Sequence, residues 1–200
     1  MIKHYRTNSI QSERLILQKG ILSDYLAVYE YDFTKLRDID GEFEYAKQNV
    51  EEIKQWFEPN IEQFHKNNEA GHTFDWIIYL KENALPIGNI LADREDVENK
   101  EIEVAFNLHP NYWGKGYMPE AINAVLEYLF GLGYENVKSG YSDGNKKSKR
   151  VLEKTGFENC GVEKNAWIKN GNPIDDYKVI MTKSNWINRN KTQMPGEVAG

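Results

Sequence analysis

The chain has 200 residues, a formal net charge of -6 and 40% hydrophobic residues, enough for one domain with a sizeable core and an acidic balance that argues against general nucleic-acid binding. A single cysteine, Cys160, excludes an internal disulfide framework and fits a reducing cytoplasm. No apolar run approaches the ~18 residues of a membrane span, the opening MIKHYRTNSI lacks a signal-peptide apolar core, and His4, His65, His72 and His109 are too scattered for a metal site.

In chain order, Ser12 to Gln18 (SERLILQ) reads as a first strand. Ser23-Asp24 can cap a helix over Tyr25 to Tyr31. Residues 32 to 46 are irregular and acidic, and a second helix is predicted over Val50 to Lys66, with Pro59 as a break or kink. Between Gly20 and Asp75 acidic residues outnumber basic ones, Asp38, Asp40, Glu42, Glu44, Glu51 and Glu52 among them; the excess reads as solvated helix faces or as a wall that steers a cation. Thr73 to Leu80, Pro86 to Ala92 and Glu101 to Leu108 then form an antiparallel meander with polar turns at Glu82-Asn83 and Glu98-Asn99.

The third of these strands opens the central unit of the chain. Ile102, Val104, Phe106 and Leu108 alternate with Glu101, Glu103, Ala105 and Asn107, the period of a strand with one buried face. His109-Pro110 ends it. After Gly116 the apolar residues Met118, Ala121, Ile122, Val125, Leu126 and Leu129 fall on one side of a helix. Pro119 suits its first turn and Gly131 or Gly133 its end. The intervening Asn111-Tyr112-Trp113-Gly114-Lys115-Gly116-Tyr117 carries two glycines one residue apart, which let backbone approach a ligand closely. A helix N-terminus follows, and its dipole and unpaired N–H groups favour an anion such as a pyrophosphate. A tight turn that binds nothing is the plainer alternative. A P-loop would need Ser or Thr after Lys115, and a dinucleotide fingerprint a third glycine where Pro119 stands.

Asn136 to Ser142 reads as a further strand and Asn145 to Thr155 as a helix followed by Gly156-Phe157. Ala166 to Lys169 and Ile174 to Thr182 form a hairpin around Asn170-Gly171. Ile187 to Gly200 is polar with a Pro-Gly pair and is expected to fray. The expected organisation is therefore one domain over 1–186 with a flexible polar tail over 187–200.

Two segments resemble the GCN5-related N-acetyltransferases (GNAT). HPNYWGKGYMPEA is similar to that family's acetyl-CoA loop, Gln/Arg-x-x-Gly-x-Gly/Ala, with Gly114 and Gly116 in place and Asn111 where Gln or Arg is usual. Asn145 to Phe157, NKKSKRVLEKTGF, resembles the family's N-x-x-S-x-R-V-L-E-K-x-G-F at every specified position, and SERLILQ resembles the opening of the RimJ/RimL branch. The resemblance covers roughly residues 10 to 186. It implies an α+β fold with a central mixed, mostly antiparallel sheet, helices on both faces, and splayed central strands forming an acetyl-CoA cleft.

The resemblance also implies an acetyl-CoA-dependent N-acetyltransferase acting on a primary amine, either a protein N-terminal α-amine or a small-molecule amine such as a polyamine or amino-antibiotic. An inactive CoA-binding sensor or interaction module is the competing reading. Phe106 and Leu108 would pair with pantetheine through their backbone, the amides of Gly114, Lys115, Gly116, Tyr117 and Met118 would hold the pyrophosphate, and Asn145 would reach the pantetheine arm. Lys146, Lys147, Lys149 and Arg150 are either contacts for the ribose 3′-phosphate or solvated cations. Glu103 is the candidate base, or an ordinary carboxylate on a solvated face. Ser148 is the candidate acid, or part of a helix start capped by Asn145, with Tyr141 as an outside alternative. No metal is implied. Dimerisation is common among such enzymes, so a homodimer is the assembly to look for.

Overall fold

A computed structural model describes residues 7–29, 55, 58–59, 63, 66, 73–169 and 171–193. Its strands form a single eight-stranded sheet in the order β1-β2-β3-β4-β5-β6-β8-β7. These are β1 (Ile10–Gln11), β2 (Leu15–Gln18), β3 (Phe74–Leu80), β4 (Pro86–Asp96), β5 (Glu101–Leu108), β6 (Asn136–Ser142), β7 (Glu158–Lys169) and β8 (Asn172–Thr182). Every neighbouring pair is antiparallel except β5 with β6.

Among the described residues the helices seen over their whole length are α1 (Leu22–Tyr29), α2 (Tyr117–Leu132), α3 (Lys146–Thr155) and α4 (Lys183–Gln193). β3 is buried along its whole length because it is covered on both sides. Phe74, Trp76, Ile78 and Leu80 join the main core with the apolar stripe of α2, whereas Ile77 and Tyr79 pack with Tyr25 and Val28 of α1. The helices thus lie on both faces of a mixed, mostly antiparallel sheet, as expected.

α2 starts at Gly116 and stops at Gly133, both in the left-handed conformation. At that end the Gly133 N–H closes back onto the Leu129 and Phe130 carbonyls. α1 begins three residues earlier than expected, with Asp24 inside its first turn accepting from the Ile21 N–H at 2.9 Å. The predicted cap at Ser23-Asp24 is therefore a reach-back from the third helical residue. The helix expected over Val50 to Lys66 lies largely outside the described residues; Gln55, Glu58, Pro59, Gln63 and Lys66 are helical. The acidic residues named between 38 and 52 lie outside them too.

The C-terminal half departs further from the sequence reading. β7 begins at Glu158, well before Ala166, and it is an edge strand exposed at nearly every position, so no buried stripe marked it. The hairpin pairs Lys169 with Asn172 across a two-residue connection, with Gly171 at φ +77°. The tail expected to fray from Ile187 is instead helical to Gln193. Trp186 packs its ring 5.5 Å from that of Phe130, and Arg189 donates to the Lys154 and Thr155 carbonyls at the end of α3. A polar composition concealed one anchoring aromatic and one well-placed cation.

Candidate active site

Strands β5 and β6 pair only at Glu101 with Asn136, Ile102 with Val137 and Glu103 with Lys138. Beyond Glu103 each keeps its outer partner, β5 with β4 as far as Leu108 and β6 with β8 as far as Ser142. The two diverge, and a slot opens whose walls are Ala105 to Leu108 on one side and Gly140 to Ser142 on the other. Ser139 closes the narrow end: its hydroxyl, in a residue only 3% exposed, donates to the Val104 carbonyl at 2.8 Å.

The wide end is framed by the glycine loop and the start of α3. Pro110–Tyr112 makes a short 3-10 turn in which the Asn111 N–H donates to His109 Nδ1 at 3.2 Å. The Trp113 indole N–H donates to the Leu108 carbonyl at 2.7 Å, folding the loop back over the end of β5. Gly114 and Gly116 follow at φ +76° and +83°, a region that costs other residues roughly 1–2 kcal/mol. A Cβ on Gly114 would meet nothing within 4 Å, so that glycine serves conformation and open space rather than packing. The first amides of α2 have no acceptor within the helix. Opposite, Lys147 of α3 sits with its ammonium 3.7 Å over the Trp113 ring, joining the two sides of the mouth.

A third component comes from the β1–β2 turn. The Arg14 Nε donates to Glu120 at 2.7 Å, its Nη1 donates to the Lys115 carbonyl at 3.1 Å, and its guanidinium lies 4.5 Å over the Tyr117 ring. Ser12 Oγ and the Arg14 backbone N–H both donate to Glu120 Oε1 at 2.7 Å. Burial works to raise the Glu120 carboxyl, but these donors together hold it below the usual carboxylate range.

Glu103 stands at the closed end of the slot, on the face away from α2. Arg94 Nη1 donates to both of its oxygens, at 3.2 and 3.1 Å. That pairing is the main reason the Arg94 guanidinium lies above its ordinary value. Directly across the ladder is Asp93. Burial pushes its carboxyl up, with Arg94 opposing and Glu103 reinforcing the rise. Asn145 caps α3 by accepting from the Ser148 N–H at 3.0 Å, and Tyr141 stacks on Tyr177 with centroids 5.2 Å apart.

Of the residues named from the sequence, Glu103, Phe106 and Leu108 lie on β5, Asn111, Gly114, Lys115, Gly116, Tyr117 and Met118 on the loop and the start of α2 with Met118 turned into the core, and Asn145 and Ser148 at the start of α3, which Lys147 joins to the loop through the Trp113 ring. Among the described residues no hydrogen bond or ion pair joins Glu103 to Ser148. The reading missed Arg14, Glu120, Arg94 and Ser139. Only Arg14 and Glu120 left a signal, as charges within the SERL and GYMPEA segments. Among the described residues no group of three or more His, Cys, Asp or Glu side chains could hold a metal, and no helix is long and apolar enough to cross a membrane.

A forked sheet with a glycine loop and a helix N-terminus at its open end can receive an extended, anionic ligand. The acetyltransferase (GNAT) domain family matches residues 14–158, and the chain belongs to that family and is an N-acetyltransferase. It is 25% identical over 178 residues to the uncharacterized N-acetyltransferase YnaD of Bacillus subtilis, covering 88% of this chain and 98% of that one. The fold is similar to that of the ribosomal-protein-S5-alanine acetyltransferase of Vibrio fischeri, with a TM-score of 0.67 at 21% identity over 90% of this chain and 98% of that one. It is similar also to the microcin C7 self-immunity acetyltransferase MccE, a structure that contains acetyl-CoA and AMP, with a TM-score of 0.68 at 21% identity over 85% and 93%.

Proposed function

We propose that this chain transfers the acetyl group of acetyl-CoA to a primary amine by direct attack on the thioester, in the manner of the RimJ/RimL branch. The observation that supports it most is the slot between β5 and β6, which ends at the Gly114–Gly116 loop. In this reading the amides of Gly114, Lys115, Gly116, Tyr117 and Met118 receive the diphosphate. The backbone of Phe106 and Leu108 pairs with the pantetheine amides as an added strand would, and Asn111 and Asn145 flank the arm. The amine nitrogen bonds to the acetyl carbon, the C–S bond breaks, and the departing thiolate takes a proton through the Ser148 hydroxyl, which takes one in turn from solvent. Glu103 accepts the proton the amine loses, directly or through water.

The state of Glu103 bears on the acceptor. Both of its oxygens accept from Arg94 Nη1, so the carboxylate is held in place rather than free to swing towards an incoming amine. That favours an amine already largely neutral. An α-amine of pKa about 7.8 is roughly a quarter neutral near pH 7.4, against about 0.1% for a lysine-type amine near 10.4, a gap of about 3.5 kcal/mol. The acceptor class is thus an α-amine, as at a protein N-terminus. Thiol release from acetyl-CoA across a panel of lysine-blocked peptides, polyamines and amino-antibiotics tests this. Free CoA is expected with peptide α-amines; release with polyamines or antibiotics alone would refute the assignment.

A further inference from the structure

Lys115 lies between two glycines in the left-handed conformation, and that arrangement carries a liability. Glycine crosses between backbone regions at little steric cost, so the Lys115–Gly116 peptide is free to rotate and turn its N–H away from a ligand. Something outside the loop has to hold it.

Arg14, 101 residues away in sequence, makes that contact. Its Nη1 donates to the Lys115 carbonyl at 3.1 Å while its Nε is held by Glu120 at 2.7 Å. Glu120 is itself fixed by Ser12 Oγ and the Arg14 N–H, each at 2.7 Å. The guanidinium also rests 4.5 Å from the Tyr117 ring centroid, and a Cβ on Gly116 would come within 3.5 Å of its Nη2. The cation is thus clamped on two edges and one face. Because a trans peptide is planar, its C=O and N–H point in opposite directions. Anchoring the Lys115 carbonyl towards Arg14 directs the Gly116 N–H away from it.

We infer that Arg14 is a positioning residue for the diphosphate cradle: held by Glu120, it fixes the Lys115–Gly116 peptide so that the Gly116 N–H is presented to the anion. This rests on the acetyl-CoA reading of the loop. Arg14 acts here through backbone orientation rather than as a counter-charge, and the two roles predict opposite signs for one substitution. Removing the Glu120 carboxylate takes a negative charge from beside an anion site. Charge attraction alone would then tighten coenzyme A, whereas loss of the clamp loosens it.

Calorimetric titration with coenzyme A and with pantetheine, which lacks the diphosphate, separates the cases. Wild-type protein that binds no coenzyme A would refute the loop reading itself. With binding established, Arg14→Ala and Glu120→Ala are each expected to weaken coenzyme A about tenfold, to leave pantetheine unaffected, and to raise KM for acetyl-CoA more than they lower kcat. Arg14→Lys, which keeps the charge but not the fork, should fall between wild type and Arg14→Ala. Unchanged affinity in Arg14→Ala, tighter coenzyme A binding by Glu120→Ala, or equal losses for both ligands would each overturn the inference. Should the alanine variants not fold, Arg14→Lys decides alone. A loss confined to coenzyme A supports the clamp, and wild-type affinity overturns it.

Discussion

The chemistry proposed for this protein turns on a few side chains whose surroundings sharpen what the residue types alone allowed. As the proton acceptor, Glu103 should lower kcat by about 10²–10⁴ when replaced by Gln, read as thiol release from acetyl-CoA; a Gln variant with wild-type kcat would remove it from the reaction. Asn145 and Ser148 are joined through the Ser148 N–H, so their roles separate cleanly. Asn145→Ala is expected to cost about 1 kcal/mol of stability through the lost cap, visible as a lower Tm. Ser148→Ala leaves that hydrogen bond intact, and it should slow thiolate departure and lower kcat without moving Tm. Ser148 was singled out by its place in the N-x-x-S segment, and Glu103 by alternating opposite the apolar face of β5. Arg94 was not, since its guanidinium reaches Glu103 from the irregular stretch of β4 beyond Asp93, which the sequence reading ended at Ala92.

At the scale of elements, the central unit was legible almost residue by residue because it contains both period changes and both breakers. β5 ends at Leu108, and β6 and α3 occupy Asn136–Ser142 and Lys146–Thr155, each within a residue of its expected bounds, while α2 runs from Tyr117 to Leu132 and closes at Gly133, one of the two glycines expected to end it. The errors fall where burial is weak or borrowed: β7, exposed along most of its length, and α4, which packs Trp186 on the core but leaves Ile187 exposed. The glycine loop offers a direct test of its own. Gly114→Ala places its methyl in open space, so the direct cost is the left-handed backbone, roughly 1–2 kcal/mol. Any loss of coenzyme A affinity beyond the change in stability then reports the ligand side of the loop. Thermal melting and titration on the same preparation give both quantities.

For the molecule as a whole, one buried carboxyl sets an acid-side trend in stability. Asp75 is 4% exposed on the face beneath α1; burial pushes its carboxyl up to about 6, while the hydroxyl of Tyr25, which donates to it, pulls it back. A carboxyl raised on folding binds its proton more tightly in the native state than in the unfolded one. Its contribution therefore favours folding at low pH and is lost as pH rises from about 4 to about 6. Asp75→Asn keeps an acceptor for Tyr25 and removes the charge, so its Tm should exceed that of wild type at pH 7.5 and converge with it near pH 4. Equal melting at both pH values would show that the carboxylate bears no such penalty. The sheet carries a second global consequence. Its two parts, β1 to β5 and β6 to β8, are joined by three rungs, from Glu101 to Glu103. On the acetyl-CoA reading, a carrier lying along the fork makes contacts that only the folded chain offers, so saturating coenzyme A is expected to raise Tm.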